Sequence, residues 1–129
     1  MTPSDRRYSE THEWVKIEDG MAIVGITDYA QESLGDITFI ELPETDHNVA
    51  QEEECGVIES VKAASDLNAP IDGDIVEVNE ELDGKPELVN EDPYEAGWLF
   101  KIANFNKDQY EHLLDAAEYE STCEDDHEE

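Results

Sequence analysis

Three features of the 129-residue sequence predict a mainly β fold, a sandwich or barrel with short added helices, one of them near the C-terminus. Apolar strand-like runs are short and closely spaced, Gly and Pro punctuate them, and only two stretches carry a helical period. The length suits a single domain with one modest core.

In chain order, His12-Glu13-Trp14-Val15-Lys16-Ile17 and Met21-Ala22-Ile23-Val24 flank Asp19-Gly20, a dipeptide that closes two-residue hairpins. Thr27 to Leu34 reads as a helix. Thr27 can cap it, Ala30 and Leu34 share one face, and Gly35 ends it. Ile37–Leu42 and Cys55–Val61 read as strands. Asp72-Gly73, just after Pro70, marks a second tight turn before the strands Asp74–Val78 and Trp98–Ile102. Tyr110, Leu113, Leu114 and Ala117 recur at i, i+3, i+4, i+7, the spacing of a helix face against a core. Asn106 with Gln109 resembles a capping pair for that helix. Beyond Glu118 no basic residue remains and the chain is expected to fray, so the domain is placed at residues 1–118 and an acidic tail at 119–129.

Thirty-six acidic residues against seven basic ones give a formal charge of −29. Such a surface repels nucleic acid, whose phosphates need clustered Lys and Arg, and repels anionic membrane faces. No apolar run approaches the ~18 residues that a membrane span needs. Arg6-Arg7 has no apolar stretch behind it, so no secretory signal is expected and a cytoplasmic location is. The acids are spread along the whole chain rather than gathered in one patch. That spread favours adaptation to a very salty, halophilic cytosol over partner docking, because strong salt screens self-repulsion. Cys55, in an apolar-flanked stretch, is expected to be buried. Cys123 is expected to be a free thiol, with no disulfide between them.

The sequence has no Gly-rich phosphate loop, no HExxH and no GxSxG. His12, His47, His112 and His127 lie far apart with no spaced His or Cys companion, and read as surface or packing residues. Glu52-Glu53-Glu54 reads as a solvated strand edge rather than a metal site. Neither a catalytic constellation nor a metal is expected. Lys62 is the one basic residue between Lys16 and Lys85, and Val61, Ala63 and Ala64 leave its flanks small and uncharged. At a hairpin tip such a lysine offers an amine that another protein's active site can enclose, as attachment of a swinging prosthetic group requires. On spacing alone, an ordinary exposed turn lysine explains it as well.

Glu59-Ser60-Val61-Lys62-Ala63-Ala64-Ser65-Asp66 resembles the lipoylation signature of the glycine cleavage H proteins. His12-Glu13-Trp14-Val15, Val24–Gln31, Leu34-Gly35-Asp36, Glu41-Leu42-Pro43, Ala69-Pro70, Val76–Asn79, Pro86-Glu87-Leu88-Val89-Asn90, Asp92-Pro93-Tyr94 and Gly97-Trp98-Leu99 are similar to the same family, in its order. The resemblance spans roughly Tyr8 to Glu118. It implies a barrel-sandwich hybrid like that of lipoyl domains, with added helices including a C-terminal one.

The resemblance further implies a non-catalytic carrier, expected to be monomeric, with lipoate joined to Lys62 by an amide. Its implied partners are a glycine decarboxylase that loads an aminomethyl group and an aminomethyltransferase that unloads it. A dihydrolipoyl dehydrogenase would reoxidise the dithiol, and a further enzyme would attach the lipoate. The family's groove contacts for the loaded arm map onto Glu13 and Asp66, whose carboxylates suit a cationic amine. Thr11 stands where the family commonly has Ser, and keeps the hydroxyl. Asp46-His47-Asn48-Val49 replaces the family's Gly-containing turn, so a different path is expected there. Alternatives are a lipoyl relay donating lipoate to 2-oxoacid dehydrogenases, a biotin carrier (disfavoured because Val61 and Ala63 stand where that family has Met), and an unmodified acidic binding module.

Overall fold

A computed structural model describes residues 3–127. Nine strands and four α-helices alternate as β1 (Arg7–Tyr8), β2 (Glu13–Glu18), β3 (Met21–Ile26), α1 (Asp28–Leu34), β4 (Ile37–Glu41), β5 (His47–Val49), β6 (Glu54–Ser60), β7 (Ala64–Asn68), β8 (Gly73–Val78), α2 (Leu88–Glu91), β9 (Phe100–Ala103), α3 (Lys107–His112) and α4 (Ala116–His127), with a 3₁₀ turn at Glu80–Asp83. The strands form two sheets. One has six strands in the order β1-β2-β3-β9-β8-β5, and the other has three in the order β4-β6-β7. Of the two β architectures expected, the sandwich is the one observed; the sheets do not close into a barrel.

Asp19 and Gly20 both take positive φ (53° and 79°), the type I′ geometry that matches strand twist, and β2 pairs β3 from Glu18↔Met21 to Glu13↔Ile26. The main core lies between the sheets, where Val15, Val24, Ile40, Ile58, Leu67, Ile75, Phe100 and Ile102 are buried. A second cluster, Tyr8, Trp14 and Tyr119, fills the outer side of β1–β2 under α4. There Arg6 lies over the Trp14 ring at 4.7 Å and donates to the Tyr94 carbonyl at 2.8 Å, so one of the few cations serves packing.

α1 forms as expected: the Thr27 hydroxyl accepts from the Ala30 amide at 3.2 Å, and Gly35 closes the helix at φ 78°. Asp46 takes the left-handed φ of 65° that a glycine would, and the residues after it pair as β5 with β8.

Four expectations need correction. Asp72-Gly73 is no hairpin turn. Gly73 is already the first residue of β8, paired with Val49, and Asp72 is held by Gln51 and Gln109, whose amide N–H and side-chain oxygen bond it at 2.7 Å each. Gln109 therefore gives its side chain to Asp72; only the Asn106 half of the capping pair forms, accepting the Gln109 amide at 3.1 Å. The expected helix through Tyr110–Ala117 is broken: α3 stops at His112, and Leu114 turns extended to exchange two 2.8 Å backbone bonds with Tyr8. Nor does the chain fray after Glu118. Asp115 and Glu118 cap each other (2.8 and 3.0 Å) and start α4, which runs to His127. No helix among the described residues is long and apolar enough to cross a membrane.

Candidate functional site

β6 and β7 form an antiparallel hairpin, paired from Glu54↔Asn68 up to Glu59↔Ala64, and Lys62 stands at its tip. Ser60 builds the turn. Its amide donates to the Ala63 carbonyl at 2.8 Å, while its hydroxyl oxygen receives the amides of Lys62 (3.2 Å) and Ala63 (3.1 Å). The Val61 amide donates to the Asp36 carbonyl at 3.0 Å, which ties the tip to the connection between α1 and β4. Lys62 is exposed, and its ammonium forms no salt bridge with any described residue. Its Cδ and Cε pass over Gly35, 3.6 and 3.3 Å from where a Cβ would stand. Glycine is required at position 35 for its positive φ, and a Cβ there would press on the Lys62 methylenes.

Thr11 and Glu13 are brought together at the start of β2. The Glu13 carboxylate accepts from the Ser9 hydroxyl at 2.6 Å and the Thr11 hydroxyl at 2.5 Å, and also from the backbone amide of Asn68 on β7. Glu13 is only 3 % exposed. Burial pushes its carboxyl up to about 7 against those three donors, which pull the other way. Ser9 and the Asn68 amide are site members that sequence reasoning missed. Ser9 carried no signal, because a hydroxyl two residues before Thr11 looks like any loop serine.

Asp66 is exposed and lies on β7 two residues before Asn68, with its side chain on Glu54 rather than on Glu13 or Thr11. That carboxylate neighbour, together with Glu41, raises the Glu54 carboxyl. Cys55, half-buried between these groups, is a free thiol pushed up to about 12 by burial first and by Glu13, Glu53 and Glu54 after it. Cys123 forms no disulfide and packs against the Tyr8–Trp14–Tyr119 cluster.

The histidines are engaged elsewhere: His12 Nδ1 is 2.7 Å from the Tyr119 hydroxyl, His47 is 3.3 Å from Glu53, and His112 Nδ1 is 2.6 Å from the Asp108 carbonyl. The His127 side chain lies outside the described residues. Among the described residues no group of three His, Cys, Asp or Glu side chains is placed to hold a metal.

A β sandwich that presents an exposed lysine without a salt bridge on a hydrogen-bonded hairpin tip, with a buried carboxyl on the neighbouring strand β2, has the features of a carrier for a lysine-attached prosthetic group. The glycine cleavage H-protein family model matches residues 6–126. The glycine cleavage system H protein of Alcanivorax borkumensis is 51% identical over 119 residues, covering 92% of this chain and 93% of its own. That of Staphylococcus epidermidis is 56% identical over 117 residues, covering 91% and 93%. A crystal structure of the H protein from Mycobacterium marinum superposes with a TM-score of 0.86 at 42% identity, over 95% of this chain and 98% of that one. The chain belongs to the glycine cleavage H-protein family, the carriers of the glycine cleavage system, which bear a covalently attached lipoate on a lysine. The match favours this role over the lipoyl relay.

Proposed function

We propose that Lys62 is the lipoate attachment residue. The chain then shuttles an aminomethyl group from the glycine decarboxylase to the aminomethyltransferase, and presents its dithiol to the dihydrolipoyl dehydrogenase. It acts in the cytoplasm as a monomer and has no catalytic centre of its own. The single observation that carries this reading is the seat of Lys62: a hairpin tip locked by Ser60 and Asp36, with an ammonium that no described carboxylate holds.

The residues fit the group. The bound lipoyl ring supplies a disulfide that takes up and releases the aminomethyl cargo and is reset by thiol–disulfide exchange. The chain supplies placement. Lys62 leads away from the core, because Gly35 beneath it leaves no side chain to obstruct its methylenes. Asp66, four residues beyond Lys62, lies on β7 where that strand leads away from the tip. There its carboxylate, already crowded by Glu54, gains by meeting a cationic amine. Glu13 and Thr11 close the far end. Glu13 holds a proton near neutral pH, gives it up when a cation comes beside it, and keeps its three donors while doing so.

Glycine–bicarbonate exchange by the decarboxylase tests the proposal. Lipoylated wild-type chain should support exchange and Lys62→Arg should not, with an unchanged thermal midpoint. Exchange retained in Lys62→Arg would overturn the assignment.

A further inference from the structure

Pro86–Asn90 carries no chemistry in the reading above, yet Asn90 spends its whole side-chain amide on the ground beneath Lys62. Its Nδ2 donates to the Gly35 carbonyl and to Gln31 Oε1, both at 2.9 Å. Its Oδ1 accepts from the Ile37 amide at 2.9 Å. These bonds grip the α1–β4 connection at both ends, the last carbonyl of the helix stop and the first amide of the strand. Asp36, held between them, gives its carbonyl to the Val61 amide at 3.0 Å, and Gly35 underlies the Lys62 methylenes. Val89, fully buried beside Asn90, anchors α2 in the core, so the grip comes from a fixed element.

We infer that Asn90 is a positioning residue for the prosthetic-group lysine. It holds residues 35–37 as a rigid seat that sets the direction in which Lys62 leaves the hairpin, and the inference rests on Lys62 being the attachment residue. The chemistry selects the amide. Asp at this position would keep the acceptor for Ile37 but set a carboxylate against the Gly35 carbonyl and Gln31 Oε1. Ala would remove all three bonds. Asn79 offers an internal control with the same chemistry in another place: it donates to the Ala96 and Trp98 carbonyls at 2.9 and 2.8 Å and touches nothing in the α1–β4 connection.

The test compares Asn90→Ala, Asn90→Asp and Asn79→Ala in the full chain by two measurements. One is hydrogen exchange at the Val61 and Ile37 amides of the unlipoylated protein. The other is lipoylation by a lipoate ligase with lipoate and ATP, resolved into kcat and the KM for the carrier. Asn90→Ala should exchange both amides about fivefold faster, and Asn90→Asp only the Val61 amide, because its carboxylate still accepts from Ile37. Both should raise KM about fivefold with kcat unchanged, as loss of hydrogen bonds from the seat but not from the chemistry requires. Asn79→Ala, at a comparable loss in thermal midpoint, should change neither. If Asn90→Ala does not fold, the isosteric Asn90→Asp carries the comparison. Unchanged Val61 exchange or unchanged KM in the Asn90 variants would overturn the inference, as would an equal effect of Asn79→Ala. Failure of Lys62 itself as acceptor would show separately, in the wild-type chain.

Discussion

The hydroxyls of Thr27 and Tyr119 lie 2.7 Å apart and join the cap of α1 to the first turn of α4 across 92 residues of sequence. The same Tyr119 hydroxyl meets His12 Nδ1 at 2.7 Å, and its ring stacks on Tyr8 with centroids 4.8 Å apart. The C-terminal helix is therefore locked to the edge of the large sheet and to the helix that ends under Lys62.

Tyr119→Phe keeps the stack and removes both hydrogen bonds, at a cost of about 1–2 kcal/mol, since Thr27 is fully buried. Tyr119→Ala also removes the ring from a closed cluster, and should cost about 3–5 kcal/mol. Urea unfolding measures both. Wild-type stability in Tyr119→Ala would show that α4 is not docked.

How far the sequence was legible can be judged at this helix. Hairpin chemistry and caps are local, so Asp19-Gly20, Thr27 and Gly35 could be read directly, and so could most strands of the core. α4 could not be read from its apolar spacing, because a few partly apolar turns dock it and the rest of its surface is acidic. Its start was nevertheless visible: Asp115-Ala-Ala-Glu118 is a capping pair, overlooked because the i, i+3, i+4, i+7 run from Tyr110 crosses it. Lys62 was found through its motif, since an exposed lysine has no distinguishing physics in one dimension. Asn68 and Asn90 act through contacts between distant segments, which no local pattern reports, and Ser9 meets Glu13 only four residues on but looks like any loop serine.

Glu13 should impose a pH dependence of its own. Its folded carboxyl sits near 7 against an ordinary value of 4.5, so the folded state binds the proton more tightly than the unfolded chain. Stability from this group is full below about 4.5 and falls as pH rises through 7, by up to about 3 kcal/mol. Glu13→Gln should flatten that fall, and so gain on wild type between pH 5 and pH 8 in denaturant titrations. Parallel curves for the two proteins would contradict the buried carboxyl.

Neutralising the groove should act after loading and not before it. The double variant Glu13→Gln, Asp66→Asn should be lipoylated at the wild-type rate but lose aminomethyl cargo to water several-fold faster, because a cationic amine would no longer be held out of solvent. The half-life of loaded carrier, followed as formaldehyde release, measures this. Equal half-lives would place the cargo contacts elsewhere.

A formal charge of −29 on 129 residues should make stability depend on salt. The Debye length falls from about 10 Å at 0.1 M to about 3 Å at 1 M, which removes most repulsion between neighbouring carboxylates. The thermal midpoint should climb steeply from dilute buffer to molar potassium chloride. A flat midpoint would assign the acidity to partner docking instead of to a salty cytosol.

The most direct measurement of the central claim is the intact mass of the chain after incubation with a lipoate ligase, lipoate and ATP, followed by peptide sequencing of the product. Lys62 at its hairpin tip predicts one lipoyl increment per chain, located on the peptide that contains Lys62, and none in Lys62→Arg. An unmodified wild-type chain, or an increment that persists in Lys62→Arg, would contradict it.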